Sequence, residues 1–401
     1  MKSFRHGILQ YLLAAIPARV ATGGAAVATV LLARSSGMDG KTAGLMAACL
    51  TAPHVLGPLY GRWLDSAEDP RRIIAAACCL FVIGFQVAVI GFESNILLAV
   101  IIALLVCGTC TSFMMGGLST QVVKLVGDNL SQKRKAQSWD TFTYGLGLTL
   151  GPMLIALFTE HYAVSVSVRV VMSLALLAGV LTLVIPIELS RDKGNATQEQ
   201  KIASVITILW HSGPLKRTLL MTSGAAFSLA ALPVLAVYLS ESWLHGAKSG
   251  AYLVTGYGVG CLCGAIILML RPLRSEALIL LRNVGGALLI ALVLVALCGS
   301  FTMGMLTYWL CGVVNSIFFA VTLAARSDYA PAQGAAQIYM WVAAAKISFA
   351  SLGAFAAGLL VDIALKMPLF VSVCALLLSL LLCFALPGYS FKARRLHRSR
   401  R

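Results

Sequence analysis

Two basic residues stand deep inside long apolar stretches of this sequence, Arg19 near the start of the chain and Lys346 towards its end. At helical rise each lies about 15 Å into its stretch, close to the middle of a bilayer. A cation at that depth costs roughly 3 kcal/mol or more. The acidic residues fall near the ends of the apolar stretches, so we expect a ligand to supply negative charge. Arg19 and Lys346 are therefore candidate binding residues for an anion, with cations that are capped by carbonyl groups or that reach to the interface as the alternative.

Four further side chains in the apolar stretches are candidates for substrate contact. Tyr144 and Trp341 lie deep enough to face a cavity, and their amphipathic rings suit a bulky polar ligand. Gln121 and Asn315 are in-span amides, and either cavity lining or hydrogen bonding between helices would suit them.

Two titratable residues are candidates for carrying a coupling proton. His54 is the histidine that lies within an apolar stretch, and its side chain titrates near physiological pH. A structural, hydrogen-bonded histidine is the equally good alternative. Asp140 lies about one turn inside its stretch, where a gate salt bridge or a charge at a helix N-terminus is the favoured interpretation. Because no acid, base or metal-ligand cluster accompanies these residues, we predict no catalytic residue, metal or cofactor.

The elements that position these side chains are predicted membrane helices. The 401 residues are 59% hydrophobic and 11% charged, whereas soluble domains carry about 25% charged residues. Apolar runs of about 20 residues recur along the whole chain, as in membrane-spanning helices. We predict an all-α, polytopic membrane protein with twelve spans, at residues 8–33, 42–62, 73–92, 96–123, 138–159, 165–187, 216–240, 249–270, 278–298, 302–325, 336–360 and 367–387.

These spans divide into two pseudo-symmetric halves of six helices. The predicted domains are an N-terminal half (1–188), a linker with an interfacial amphipathic helix (189–215), a C-terminal half (216–390) and a basic tail (391–401). The sequence Ala-Gln-Ser-Trp at 136–139 opens the fifth span, and Ala-Gln-Ile-Tyr at 336–339 opens the eleventh. Such an echo is typical of transporters built by internal duplication.

The net charge of +16 is distributed as a topology signal. Most Lys and Arg residues fall on the side of the membrane that holds the amino terminus, which marks the cytoplasmic side. We therefore predict a multi-pass protein of the bacterial inner membrane with both termini in the cytoplasm, and a basic tail that binds lipid headgroups rather than nucleic acid. A monomer is expected.

Two motifs carry a resemblance to a known family. The loop after the second span matches G-x-x-x-D-R-x-G-R-R at Gly61, Asp65, Arg71 and Arg72, with Ser66 in place of the first arginine. The fifth span matches G-x-x-x-G-P at Gly147, Gly151 and Pro152. On these motifs and the six-plus-six arrangement, the chain resembles the major facilitator superfamily, and in particular its proton-antiport exporters.

The resemblance implies alternating access, in which two halves rock about a site at the midplane. It implies that the helices carrying Gln121 and Asn315 line the cavity, and that the loop residues belong to a gate. It also implies that Gly147, Gly151 and Pro152 pack across the seam between the halves, against a strip of small residues in the eighth span. That strip is Gly256, Gly260 and Gly264.

The sequence thus predicts a proton-coupled exporter of a small organic anion, such as a carboxylate siderophore, with Arg19 and Lys346 binding the negative group from opposite halves. The alternative is a multidrug exporter or an uptake carrier of the same fold. An enzyme is not expected, because His54 alone does not make a catalytic site.

Overall fold

The protein is all-helical where its computed structural model describes it, at residues 2–124, 130–185, 211–271, 275–330 and 335–385. Ten of the helical stretches in this part are long and apolar enough to cross a membrane. The helices, in chain order, are α1 (Lys2–Ser35), α2 (Gly40–Thr51), α3 (Gly57–Ser66), α4 (Pro70–Glu93), α5 (Leu97–Ser112), α6 (Leu118–Lys124), α7 (Leu130–His161), α8 (Val164–Val184), α9 (Gly213–Leu229), α10 (Ala231–Ser242), α11 (Gly250–Leu270), α12 (Ala277–Leu297), α13 (Phe301–Tyr329), α14 (Ala335–Val361) and α15 (Met367–Ala385).

Two predicted spans differ from continuous membrane helices. The span predicted at 42–62 is divided into α2 and α3 by a 3-10 turn, Ala52–Leu56. Pro53 lies in this turn, and proline has no N–H for the helical ladder. The last span corresponds to α15, whose apolar part, Met367–Cys383, is shorter than the ten long spans. The membrane character is therefore clear, and the count of twelve crossings stays a prediction.

Two other spans contain local changes of helical geometry. A π-helical segment, Phe113–Gly117, joins α5 to α6, and such segments are frequent at functional sites. Helices α9 and α10 meet at Ala230, where the chain bends without a loop. Neither feature changes the hydrophobic pattern, so neither was visible in the sequence.

The helices pack as two groups. In the first group α1 packs on α7 and α8, and α4 packs on α5 and α8. In the second group α11 packs on α13, α9 packs on α14 and α15, and α12 packs on α13. Two extensive seams connect the groups, one between α2 and α14 and the other between α7 and α11.

The two groups are tied together by polar contacts at the end of the bundle where α1 ends, which we call the distal end; α1 begins at the proximal end. Arg34 forms a two-pronged ion pair with Glu241, at 2.9 and 3.0 Å. The carboxylate of Asp362 accepts the backbone N–H groups of Gly40 and Lys41, both at 2.9 Å. Further contacts there join Lys248 to the Thr159 carbonyl oxygen and Tyr252 to the Glu160 carboxylate. This conformation is closed at the distal end.

The glycine strips pack within each group, so the predicted packing of the two strips against each other is wrong. A Cβ atom at Gly147 would overlap the Arg19 carbonyl oxygen of α1, and one at Gly151 would overlap α1 at Val20 and Gly24. The strip on α11 instead faces α13, at Met305, Trp309, Val313 and Ser316.

A different glycine makes the close contact across the α7–α11 seam. Gly258 lies on Leu148, where a Cβ would overlap the Leu148 carbonyl oxygen. Gly256, Gly260 and Gly264 recur every four residues and so share one face of α11. Gly258 is two residues out of step with them, so it points to another helix.

Three predictions fall on parts of the chain that lie outside the described residues. The proposed amphipathic linker, 189–215, is undescribed up to residue 210, and the basic tail, 391–401, is undescribed throughout. Gly61 and Asp65 lie on α3, but their side-chain surroundings are outside the described part. Their roles stay predictions.

Candidate functional site

Among the described residues, the largest fully buried side chain is Arg19, in the middle of α1 and 1% exposed. One of its terminal nitrogens donates to the Asp140 carboxylate at 2.8 Å and to the Ser119 hydroxyl at 3.0 Å. Tyr11 lies about two turns before Arg19 on α1, and its hydroxyl donates to the same Asp140 oxygen. Three helical segments of the first group therefore converge on one buried ion pair.

The π-helical segment supplies a further acceptor to this network. The Met115 carbonyl oxygen accepts from Arg19 at 3.4 Å, from Tyr144 at 3.3 Å and from Ser119 at 3.1 Å. The guanidinium carbon of Arg19 also lies 3.3 Å from the ring centroid of Tyr144. Because Tyr144 covers the cation in this way, it is a positioning residue for Arg19 in this conformation.

The expectation that Arg19 lacks a protein anion is wrong. Helix α7 begins at Leu130, not at residue 138, so Asp140 lies 140 − 130 = 10 residues into the helix. Ten residues of α-helix rise about 15 Å, which brings the carboxylate to the level of the guanidinium. Hydropathy marks where the apolar stretch begins, and it does not show how far the polar part of a helix continues before it.

Asp140 keeps one carboxylate oxygen for other partners. Its Oδ1 atom holds Arg19 and Tyr11, whereas Oδ2 accepts no hydrogen bond from the described residues. The side chain is 15% exposed, although its partner Arg19 is buried. Asp140 is thus the more exposed member of the pair, with one oxygen unpaired among the described residues.

The second group carries the other predicted cation, Lys346, in a different environment. Its ammonium nitrogen lies 4.2 Å from the ring centroid of Phe319 on α13. Among the described residues Lys346 has no carboxylate within ion-pair distance. The Cys261 thiol lies near it, and Asn315 and Tyr257 lie beside that thiol. Asn315 is therefore a neighbour of the Lys346 site.

A second cation in this group was missed by the sequence analysis. Arg326, on α13, donates to the Tyr339 carbonyl oxygen at 3.3 Å, and its guanidinium carbon lies 5.3 Å from the Tyr339 ring centroid. Its Nε atom is buried without a hydrogen-bond partner. The predicted span ends at residue 325 and so excludes Arg326, whereas α13 continues to Tyr329.

No described contact joins the remaining predicted site residues to Arg19, Asp140 or Lys346. Trp341 is 40% exposed. Gln121 is buried on α6 and donates to the Thr120 hydroxyl at 3.2 Å. His54 lies in the 3-10 turn, with Nδ1 3.1 Å from the Thr51 carbonyl oxygen, so this nitrogen carries the proton of a hydrogen bond. That contact is the structural alternative for His54; its role in proton coupling stays a prediction.

The gate motif is organised around an acidic residue that the sequence analysis did not single out. Asp69 caps α4 through the Arg71 backbone N–H and forms ion pairs with Arg71 at 3.0 Å and Arg72 at 3.5 Å. The Arg71 hydrogen bond lowers the pKa of the Asp69 carboxyl below its usual value. Arg71 also donates to the carbonyl oxygens of Leu183 and Ile185 at the end of α8. The Asp-Pro pair at 69–70 is a recognisable helix start, and it was the available signal.

Comparison with known proteins places the chain among membrane transporters. The family model described as the Major Facilitator Superfamily matches residues 11–346. A comparison with curated protein sequences gave no match.

Solved structures share the whole fold at low sequence identity. A mutant of the nucleoside transporter NupG superposes with a TM-score of 0.77 at 11% identity, covering 94% of this chain and 99% of that one. A POT family transporter in complex with a thioalcohol-conjugated peptide gives 0.75 at 13% identity, covering 94% and 95%. A bacterial homolog of the human lysosomal transporter Spinster, inward-facing and unoccupied, gives 0.71 at 12% identity, covering 95% and 96%. At these identities the likeness concerns the fold alone.

Proposed function

Because the chain belongs to the Major Facilitator Superfamily, a family of transporters and not of enzymes, we propose that it is a proton-coupled exporter of a small organic anion. It works by alternating access in the bacterial inner membrane, with its termini and its proximal end in the cytoplasm. A carboxylate metabolite such as a siderophore is the kind of substrate that suits this proposal.

One observation supports the proposal that the substrate is an anion. Arg19 is neutralised by Asp140 at 2.8 Å, whereas Lys346 has an aromatic ring and no carboxylate beside it among the described residues. A buried cation without a counter-ion is costly, and an anionic ligand removes that cost. Lys346 is therefore the main anion-binding residue in this proposal, and Arg19 holds Asp140 in place.

Asp140 carries the coupling proton in this proposal. Its Oδ2 atom is free of described hydrogen bonds, and its Oδ1 atom anchors Arg19 and Tyr11. Protonation removes the counter-charge of Arg19 and weakens the contact between α1 and α7. A proton thereby changes helix packing, which is the link that proton-driven alternating access requires. His54 stays the second candidate.

The direction of transport proposed here is export. The distal end is closed by Arg34–Glu241 and by the Asp362 contacts, and both an exporter and an uptake carrier pass through such a conformation. The G-x-x-x-G-P motif, which the chain shares with exporters, favours the same direction.

The alternatives make different demands on the site. An exporter of lipophilic cations needs a free carboxylate in the cavity, and Asp140 is already paired with Arg19. The solved relatives include structures named as nucleoside and peptide transporters, so an uptake carrier is the second candidate. Direction of transport separates it from the exporter.

The test is metabolite profiling of cells and medium from a strain with the gene deleted and complemented in turn by wild type, Lys346→Gln and Lys366→Gln. Lys366 donates to the Cys298 carbonyl oxygen at the distal end, so its variant controls for the loss of one positive charge. Membrane levels of each variant are measured in parallel.

We expect an organic anion to accumulate inside the deletion strain, and wild type and Lys366→Gln to restore its release, whereas Lys346→Gln does not. Full complementation by Lys346→Gln would refute the anion site. Depletion of the compound from cells, in place of accumulation, would identify an uptake carrier.

A further inference from the structure

Helices α13 and α14 are connected by two crosswise cation–aromatic contacts. Lys346 on α14 contacts Phe319 on α13 at 4.2 Å, and Arg326 on α13 contacts Tyr339 on α14 at 5.3 Å. The spacing along each helix is the same, because 326 − 319 = 7 and 346 − 339 = 7. Seven residues are two helical turns, or about 10 Å. The two positive charges are thus held at two levels along the α13–α14 pair.

Neither cation has a counter-ion among the residues that the structure describes. An aromatic face attracts a cation but brings no net negative charge. The other contact of Arg326 is a neutral carbonyl oxygen at 3.3 Å, and its buried Nε atom has no partner. Lys346 and Arg326 carry like charges, so neither can neutralise the other. Because no described acidic residue neutralises Lys346 or Arg326, each cation can bind one negative group of a ligand.

The two levels differ in depth. Arg326 lies three residues before the proximal end of α13, at Tyr329, whereas Lys346 lies two turns further in on α14. A ligand that enters from the proximal side therefore meets Arg326 first and reaches Lys346 with its leading end. The first-group network adds no free cation to this path, because Asp140 neutralises Arg19.

We propose that Arg326 is a second anion-binding residue and that Arg326 and Lys346 bind two negative groups of one substrate at the same time. The substrate class is then an elongated di- or polycarboxylate, with negative groups about 10 Å apart. This inference rests on the proposed function, since it assumes that Lys346 binds an anion. It adds the number of negative groups and their separation.

The experiment measures binding of α,ω-dicarboxylates of increasing length, from succinate to sebacate, to the full chain in lipid nanodiscs by calorimetry. Octanoate serves as a monoanion of matched length. The proteins are wild type, Lys346→Gln, Arg326→Gln, Arg326→Lys and the charge control Lys366→Gln. Thermal unfolding of each variant checks that it is folded.

For wild type we expect affinity to rise with chain length and the long diacids to bind at least tenfold more tightly than octanoate. Arg326→Gln should lower the affinity for long diacids at least tenfold and leave octanoate unchanged, and Arg326→Lys should retain most of it. Lys346→Gln should weaken diacids and octanoate alike, and Lys366→Gln neither.

The outcomes separate this inference from the proposed function. If diacids bind through Lys346 and Arg326→Gln has no effect, or if affinity is independent of length, the two-group site is overturned and the anion transporter stands. If Lys346→Gln alters no binding and no anion binds wild type, the anion transporter falls and the inference falls with it.

Discussion

Gly147 of α7 lies directly against the backbone of Arg19 on α1, so closely that a Cβ atom would overlap the Arg19 carbonyl oxygen. Gly23 makes the reciprocal contact, against the Gly147 carbonyl oxygen. This approach brings Tyr144 and Asp140, on the preceding turns of α7, against the Arg19 side chain. The glycines of the fifth-span motif therefore position the buried ion pair and do not form the seam between the halves.

The first prediction concerns this helix contact. We expect Gly147→Ala to push α7 away from α1, because the overlapping atoms belong to backbone and cannot move to another rotamer. Overpacking of this kind costs about 1–3 kcal/mol, and transport should fall at least tenfold as the Arg19 network is displaced. Thermal unfolding and substrate release measure the two effects. Gly286→Ala is the control, since a Cβ at Gly286 meets open space; equal behaviour of the two variants would contradict the prediction.

The second prediction concerns the ion pair of Arg19 and Asp140. Removing one member of a buried pair typically costs about 3–5 kcal/mol, because the other charge is left uncompensated. We expect Arg19→Gln and Asp140→Asn each to lower the unfolding temperature, and the double variant to lower it less than the sum of the two. A double-mutant cycle by thermal unfolding gives the coupling.

The matched control for this cycle is the pair of Arg169 and Glu93, which also lies within the first group, at 2.7 Å. These side chains are 35% and 48% exposed, so water and salt screen their attraction to about 0–1 kcal/mol. A coupling energy for Arg19 and Asp140 no larger than that of the exposed pair would contradict the structure's account of the network.

The sequence predicted that Arg19 and Lys346 lie well inside their helices, because position along an apolar helix follows from counting residues. It did not predict the partners of these cations. Asp140 was placed near the membrane edge since hydropathy ends where the polar turns of α7 begin, although the helix itself continues to Leu130. Arg326 falls outside its predicted span for the same reason, at the other end of a helix.

The packing partners of the glycine strips could not be predicted from the sequence, for a different reason. Spacing of four residues predicts that Gly256 and Gly260 share a face of α11, but it does not say which helix that face meets. Both contact α13, and Gly258 makes the close contact with α7 across the seam. The break at Pro53 shows the same limit, since a proline in a membrane helix predicts a kink or a break without choosing between them.

The third prediction concerns closure of the distal end. The carboxylate of Asp362 accepts two backbone N–H groups at the start of α2, at Gly40 and Lys41, where the helix dipole favours a negative charge. We expect Asp362→Asn to weaken this contact by about 1 kcal/mol. Because the contact joins the two halves, the population should shift by several-fold towards the distal-open state.

The measurement is hydrogen–deuterium exchange of the α2 amides, which should become faster in Asp362→Asn. The control is Glu93→Gln, which removes the ion pair with Arg169 within one half and should leave this exchange unchanged. Unaltered exchange in Asp362→Asn would show that this contact does not hold the distal end closed.

The fourth prediction separates two glycines of α11 that lie two residues apart. A Cβ at Gly258 overlaps the Leu148 carbonyl oxygen across the seam, whereas one at Gly256 meets Met305 of its own half at an ordinary 3.4 Å. Gly258→Ala should therefore disfavour the conformation that brings α7 and α11 together, and Gly256→Ala should not. The readout is amide exchange at the distal ends of both helices, near Thr159 and Lys248, whose contact closes this seam at 3.1 Å. We expect several-fold faster exchange there in Gly258→Ala alone. If both variants exchange as wild type does, the contact of Gly258 with Leu148 does not hold the distal end closed, and the polar contacts there account for the closure.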